Sequence, residues 1–117
     1  MDASAAATPA PGDEPVITDN PARSRYELRV GGEQAGQVTY HLRAQAGGED
    51  ISLLHTEVGE EYEGKGLAGR LARFALDDAR RRGLRVLPYC PYIRTWIGRH
   101  PEYLDLVPED RRPEFGL

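Results

Sequence analysis

A single cysteine, Cys90, rules out an internal disulfide and a zinc site built on cysteine pairs. Lysine is as scarce: Lys65 stands alone among 15 basic residues. Acidic residues number 19, the formal net charge is −4 and the isoelectric point is near 5.4. A chain with that balance lacks the broad positive field that nucleic-acid binders use, so no nucleic-acid partner is expected. No apolar run approaches the roughly 20 residues of a membrane span, and no membrane partner is expected. The N-terminus has no basic patch followed by an apolar stretch, so secretion is not indicated and the expected setting is the cytoplasm. With 117 residues, the chain suits one compact domain.

Positions 1–22 are rich in Ala, Pro, Asp and Thr without periodicity, and read as a flexible tail ordered at most near Val16-Ile17. The folded part is expected at 23–107, with a polar, loose tail at 108–117. Tyr26, Leu28 and Val30 alternate with Glu27 and Arg29, the period of a half-buried strand. Gly31-Gly32 predicts a tight turn, about Gln34 to Arg43 a second strand, Gly47-Gly48 another turn, and Asp50 to Val58 a third strand. Strands joined this way form an antiparallel meander.

From about Gly64 to Arg82, Leu67, Ala68, Leu71, Ala72, Ala75, Leu76 and Ala79 recur at three- and four-residue spacing, the apolar stripe of a helix. Arg80, Arg81 and Arg82 complement its C-terminal dipole and Gly83 stops it. Val86-Leu87 marks a short strand, parallel to the third because a helix separates them. Pro91 opens a short helix near Tyr92 to Gly98. The fold class is therefore α+β: a meander, then a parallel β-α-β unit, with one main helix and a short C-terminal one.

Gly64-Lys65-Gly66-Leu67-Ala68-Gly69 matches G-x-G-x-x-G, but the dinucleotide fingerprint needs an acidic residue about 20 positions on, and that stretch reads Val86-Leu87-Pro88-Tyr89-Cys90. The P-loop fails because Leu67, not Lys-Ser/Thr, follows Gly66. Two readings remain. The glycines make a strand-to-helix turn and nothing more, or they let a pyrophosphate approach the unpaired amides of the first helical turn, with Lys65 adding a cation.

Val58-Gly59-Glu60-Glu61-Tyr62-Glu63-Gly64-Lys65-Gly66-Leu67-Ala68 resembles motif A of the GNAT superfamily of N-acetyltransferases. With His55-Thr56-Glu57-Val58, Pro88-Tyr89-Cys90-Pro91-Tyr92 and His100-Pro101-Glu102-Tyr103, it resembles a subfamily of short GNAT-like single domains, over about Ile17 to Val107. The resemblance implies a GNAT-like fold, acetyl-CoA as acyl donor, an amine acceptor and no metal. It implies that Thr56 to Val58 bond the pantetheine arm by their backbone, and that the pyrophosphate lies against Glu63, Gly64, Lys65, Gly66, Leu67 and Ala68. Glu63 departs from the Arg or Gln of the superfamily motif, and Arg70, one turn along the helix, is the candidate replacement charge.

Cys90 falls beside the thioester in that resemblance and directly before the helix opened by Pro91, where a helix N-terminus favours a thiolate. It is a candidate nucleophile, or an acid for the departing CoA thiolate, or a small buried core residue. His55 shares a strand face with Glu57 and is a candidate base for the amine, or a core histidine. Asp50 is a weaker candidate base; His41 and His100 read as structural. Tyr92, Trp96 and Tyr103 read as core or as acceptor-pocket walls. The expected activity is acetyl transfer to a small or peptidic amine; the alternative is a CoA-binding or protein-interaction module with little or no catalysis.

Overall fold

In a computed structural model describing residues 14–117, five strands form one mixed sheet in chain order: β1 (Val16–Asn20), β2 (Arg25–Val30), β3 (Glu33–Gln45), β4 (Gly48–Val58) and β5 (Arg85–Pro88). The expected tail at 1–13 lies outside the described residues. The first four strands are antiparallel neighbours and β5 runs parallel to β4, from Asp50↔Arg85 to Leu53↔Pro88, as the meander and crossover predict. Helix α1 (Leu67–Arg82) makes the crossover, and α2 (Pro91–Arg99) follows β5.

The apolar stripe of α1 is buried over the sheet. Leu71, Ala72, Ala75, Leu76 and Ala79 are fully enclosed in one core with Tyr26, Leu28, Val38, Ile51 and Leu53. Three alanines in that stripe let the helix lie close to the sheet, which suits a small domain with few large apolar residues. Helix α2 adds Ile93, Trp96 and Ile97. Its Trp96 ring stacks on His100 at 3.7 Å, and His100 Nδ1 lies 2.7 Å from the Trp96 carbonyl oxygen, a structural position as expected. Trp96 and Tyr103 are both buried core residues. Tyr103 donates to Asp77 at 2.7 Å and accepts from Arg73 at 3.1 Å.

Two segments read as tails are built into the fold. Val16–Asn20 is an edge strand, held to the far side of the core by Tyr40, whose hydroxyl donates to Asp19 at 2.6 Å, and by an Arg82–Asp19 ion pair at 3.5 Å. Residues Glu109–Phe115 form a 3-10 segment whose Phe115 is buried, edge-on to Tyr89 at 5.2 Å. Both were illegible for the same reason: short apolar content, with ordering supplied by partners distant in sequence.

The strand pair that leads to the site has an unusually close approach. A Cβ on Gly36 would stand 2.6 Å from the carbonyl oxygen of Glu57 and 3.3 Å from Val58 Cα. Gly36→Ala must therefore push the end of β4 away from β3. We expect a loss of about 1–3 kcal/mol in unfolding free energy, the usual cost of overpacking, read by urea denaturation. A change below about 0.5 kcal/mol would mean the β4 end yields freely.

Candidate functional site

The end of β4, the loop after it and the start of α1 enclose a cavity of about 260 Å3. Thr56 and Val58 form its strand wall, Tyr62, Glu63, Gly64 and Gly66 its loop wall, Leu67, Ala68 and Gly69 its helix wall, and Tyr92 of α2 closes one side. Seven residues singled out from the sequence thus meet here: Thr56, Val58, Glu63, Gly64, Gly66, Leu67 and Ala68. Lys65 is exposed between the two glycines.

Helix α1 begins at Leu67, the first residue of its apolar stripe and three residues later than the start expected at about Gly64, because Gly64 and Gly66 take φ of +82° and +74°. That left-handed backbone is open to glycine at no steric cost. Nothing lies within 4 Å of where a Cβ would stand at either position, so the turn is an open cradle and not a packed crossing. The amides of Leu67, Ala68 and Gly69 lie in the first turn, where a helix has no internal acceptor to offer. The helix dipole adds a partial positive charge at that end. The residues present therefore suit an anionic group approaching the backbone.

Why Thr56 and not His55 faces the cavity follows from a bulge. Strict alternation would carry Ile51 and Leu53 on to His55 and Glu57 on the core side. The register instead shifts between Thr39/Tyr40 of β3, with Tyr40 opposite Leu53 and Thr39 opposite His55, so β4 holds an extra residue, Leu54. Beyond it the faces are exchanged: Thr56 and Val58 point to the cavity, while His55 and Glu57 sit on the opposite, polar face. The histidine is not in the core and not in the cavity. It pairs with Glu57 at 3.5 Å, with side chains 63% and 57% exposed, so the shared face expected from their spacing holds. Gln37 in turn donates to Glu57 at 2.9 Å.

β5 accompanies β4 only as far as Leu53; the next contact is the Cys90 amide donating to the Leu53 carbonyl at 2.9 Å. From Leu54 to Val58, β4 has no strand on that side among the described residues, leaving a notch in the sheet beside the cavity. Cys90 borders it. It occupies the N-cap position of α2 without capping the helix, and its side chain turns instead to Thr56, with Sγ 3.3 Å from Oγ1. At 3% exposure it lies behind Thr56 and off the cavity wall.

Two other candidates are placed elsewhere. Arg70 is exposed on the outer side of α1, in a shallow depression with Ile17, Arg73, Phe74 and Asp77, and does not reach the cavity. The i, i+4 arithmetic brought it near the turn, but its side chain leaves α1 away from the β4 end. Asp50 accepts from Arg85 Nε at 2.7 Å at the far end of β4, roughly 20 Å along the strand from Thr56, and is structural. The cavity residues that the sequence did not single out are Tyr62 and Gly69. Gly69 was visible as the third glycine of the motif; Tyr62 carried no signal, since its hydroxyl reaches Glu33, at the start of β3 and 29 positions away, at 3.2 Å. Tyr92, read from the sequence as core or as an acceptor-pocket wall, is 41% exposed and lines this cavity. Partial burial pushes its phenol above the ordinary value, so it stays a neutral donor at the cavity edge.

Among the described residues no group of His, Cys, Asp or Glu side chains converges as metal ligands would, and no helix is long and apolar enough to cross a membrane.

A mixed sheet whose parallel pair opens beside a glycine turn and helix N-terminus defines the class: a GNAT-type α+β domain. The chain matches the GCN5-related N-acetyl-transferase family over residues 25–106, and it belongs to that family. It is 31% identical over 87 residues to Protein NATD1 of Danio rerio, covering 73% of this chain and 77% of that one. To Protein NATD1 of Bos taurus it is 32% identical over 106 residues, 86% and 92% of the two chains. Among solved structures, the ribosomal-protein-alanine N-acetyltransferase from Brucella melitensis biovar Abortus 2308 superposes with a TM-score of 0.51 at 26% identity, over 55% of this chain and 45% of that one.

Proposed function

We propose that the protein is an acetyl-CoA-dependent N-acetyltransferase acting on a small or peptidic amine. The observation that carries this reading is the open cradle at Gly64 and Gly66, set against the end of a strand that has lost its parallel neighbour. In this reading the amides of Leu67 and Ala68, with Lys65, hold the pyrophosphate. The backbone of Thr56 to Val58, unpaired along the notch, bonds the pantetheine arm and polarises the thioester carbonyl. The donor supplies an activated acetyl group; the chain's part is to orient it and manage protons. His55, with its ring beside the Glu57 carboxylate, takes the proton of an amine that enters from the polar face through the notch. Cys90, on the other side of Thr56, supplies the proton for the leaving sulfur. We place this in the cytoplasm, where a lone thiol stays reduced.

A second reading, a CoA-binding module with little catalysis, is favoured by one observation: Glu63 stands in the cavity wall at the phosphate turn. We expect Glu63→Arg to tighten CoA binding between about twofold and thirtyfold, by removing repulsion and adding a phosphate contact in a partly screened setting. Isothermal titration of CoA into both proteins reads this directly, and weaker binding by the variant would give Glu63 an inward role.

The reading as a whole is tested by titrating acetyl-CoA and then supplying spermidine or a peptide with N-terminal alanine. CoA release and the acetylated product are followed by mass spectrometry. Saturable binding with product supports an enzyme. Binding without product leaves the module, and absence of binding overturns both.

A further inference from the structure

Cys90 cannot itself touch a molecule in the cavity: it is 3% exposed, it is not part of the wall, and Thr56 lies between. Yet its side chain is committed to the site. As the N-cap residue of α2 it leaves the helix amides uncapped and approaches Thr56 Oγ1 at 3.3 Å. Its backbone amide is already engaged with Leu53, and its carbonyl accepts from Arg94. The sulfur's one hydrogen-bonding partner among the described residues is thus a hydroxyl that is itself on the cavity wall.

We propose that Thr56 is a catalytic residue of the acetyl transfer, relaying the proton of Cys90 to the leaving thiolate. The inference rests on the acetyltransferase reading above and deepens it. A hydroxyl carries one proton and two acceptor lone pairs, so Thr56 can accept from Cys90 S–H while pointing its own O–H into the cavity. When the amine nitrogen has bonded to the acetyl carbon, the carbon–sulfur bond breaks and its electron pair stays on the CoA sulfur. The Thr56 proton passes to that sulfur as the Cys90 proton passes to Thr56 Oγ1. The charge left on Cys90 lies at the positive end of the nine-residue helix α2. The proton given up by the amine returns to Cys90 through His55 and solvent, and the sum is acetyl-CoA plus amine to amide plus free CoA. This arrangement makes Cys90 an acid acting at one remove and excludes it as a nucleophile.

The test uses the full chain with acetyl-CoA and the better of the two acceptors named above. Thr56→Val keeps the shape and removes the hydroxyl; Thr56→Ser keeps the hydroxyl. We expect kcat to fall about 10- to 100-fold in Thr56→Val and by a similar factor in Cys90→Ala, since proton transfer by a positioned group is worth at least that. The double variant should be no slower than either single one, and Thr56→Ser should retain most of the rate. Full activity of Thr56→Val, or losses that multiply in the double variant, would overturn the relay. A second measurement is independent of turnover. The chain has one cysteine, so its S–H stretching band in the infrared reports one bond. The band should move to higher wavenumber in Thr56→Val, as a donated hydrogen bond is lost, and an unmoved band would overturn the proposal. Wild-type protein that binds acetyl-CoA but acetylates nothing fails at the earlier step, and the relay falls with it.

Discussion

Asp78→Ala is expected to lower the unfolding free energy by about 2–4 kcal/mol, the range for a buried acceptor whose removal strands its donors. Asp78 is buried on α1, where its carboxylate accepts from Tyr26 at 2.8 Å, from Arg82 at 3.1 Å and from Arg81. Tyr26 has no exposed surface, so its hydroxyl would have no solvent to turn to. Arg82 and Arg81 reach water and lose less; for that reason the expected cost stays below that of a fully buried ion pair. Burial pushes the Asp78 carboxyl up, but the bonds from Tyr26, Arg81 and Arg82 outweigh it and hold the group below its ordinary 3.8. The unfolded chain then binds the proton more readily than the folded one. The contribution is present above about pH 4 and is lost as pH falls through the folded value. Asp78→Asn, which keeps an acceptor for Tyr26, should cost less than the alanine variant at pH 7, and its deficit against wild type should shrink in acid. Urea unfolding of the three proteins at pH 7 and pH 3 reads both effects. An alanine variant within about 1 kcal/mol of wild type at pH 7 would show that the network only decorates the core.

That network also explains which parts of the fold could be read in advance. The strands from Arg25 to Val58 and the stripe of α1 follow from local alternation and helical spacing, each satisfied by its own residues. β1 does not: Val16-Ile17-Thr18 is too short to signal a strand, and its place is secured by Asp19 meeting Tyr40 and Arg82, 21 and 63 positions away. Phe115 is the corresponding case at the other end, buried against Tyr89. The site divides along the same line. The glycine turn with Leu67 and Ala68 was legible because the turn's chemistry is local, whereas Thr56 and Val58 were named only through the motif resemblance. The face of His55 was not, because one inserted residue, Leu54, inverts everything after it, and a bulge leaves no mark in the alternation of apolar residues. Nor was the Cys90–Thr56 contact, which joins positions 34 residues apart across a notch.

Gly66→Val should cost about 100-fold in CoA affinity, through two effects that a pair of variants separates. The first is occlusion. The cradle at Gly66 is empty of protein atoms within 4 Å, so a Cβ there meets no neighbour and stands where a pyrophosphate would approach the amides of Leu67 and Ala68. Charge-assisted bonds are worth roughly 1.5–3 kcal/mol each, and the loss of one or two accounts for the factor. The second is strain. At φ of +74°, a β-branched side chain is disfavoured by roughly 1–2 kcal/mol, which shifts the turn or frays the start of α1. Gly66→Asn isolates the first effect, because asparagine visits the left-handed region while still filling the cradle. We therefore expect Gly66→Asn to unfold near the wild-type temperature yet bind CoA at least about tenfold more weakly, with Gly66→Val weaker still and less stable. Calorimetric titration beside a thermal unfolding curve measures both quantities on the same samples. A Gly66→Asn protein that is folded and binds CoA as wild type does would remove the pyrophosphate from this turn. It would leave Gly64 and Gly66 as a means of joining β4 to α1 and no more.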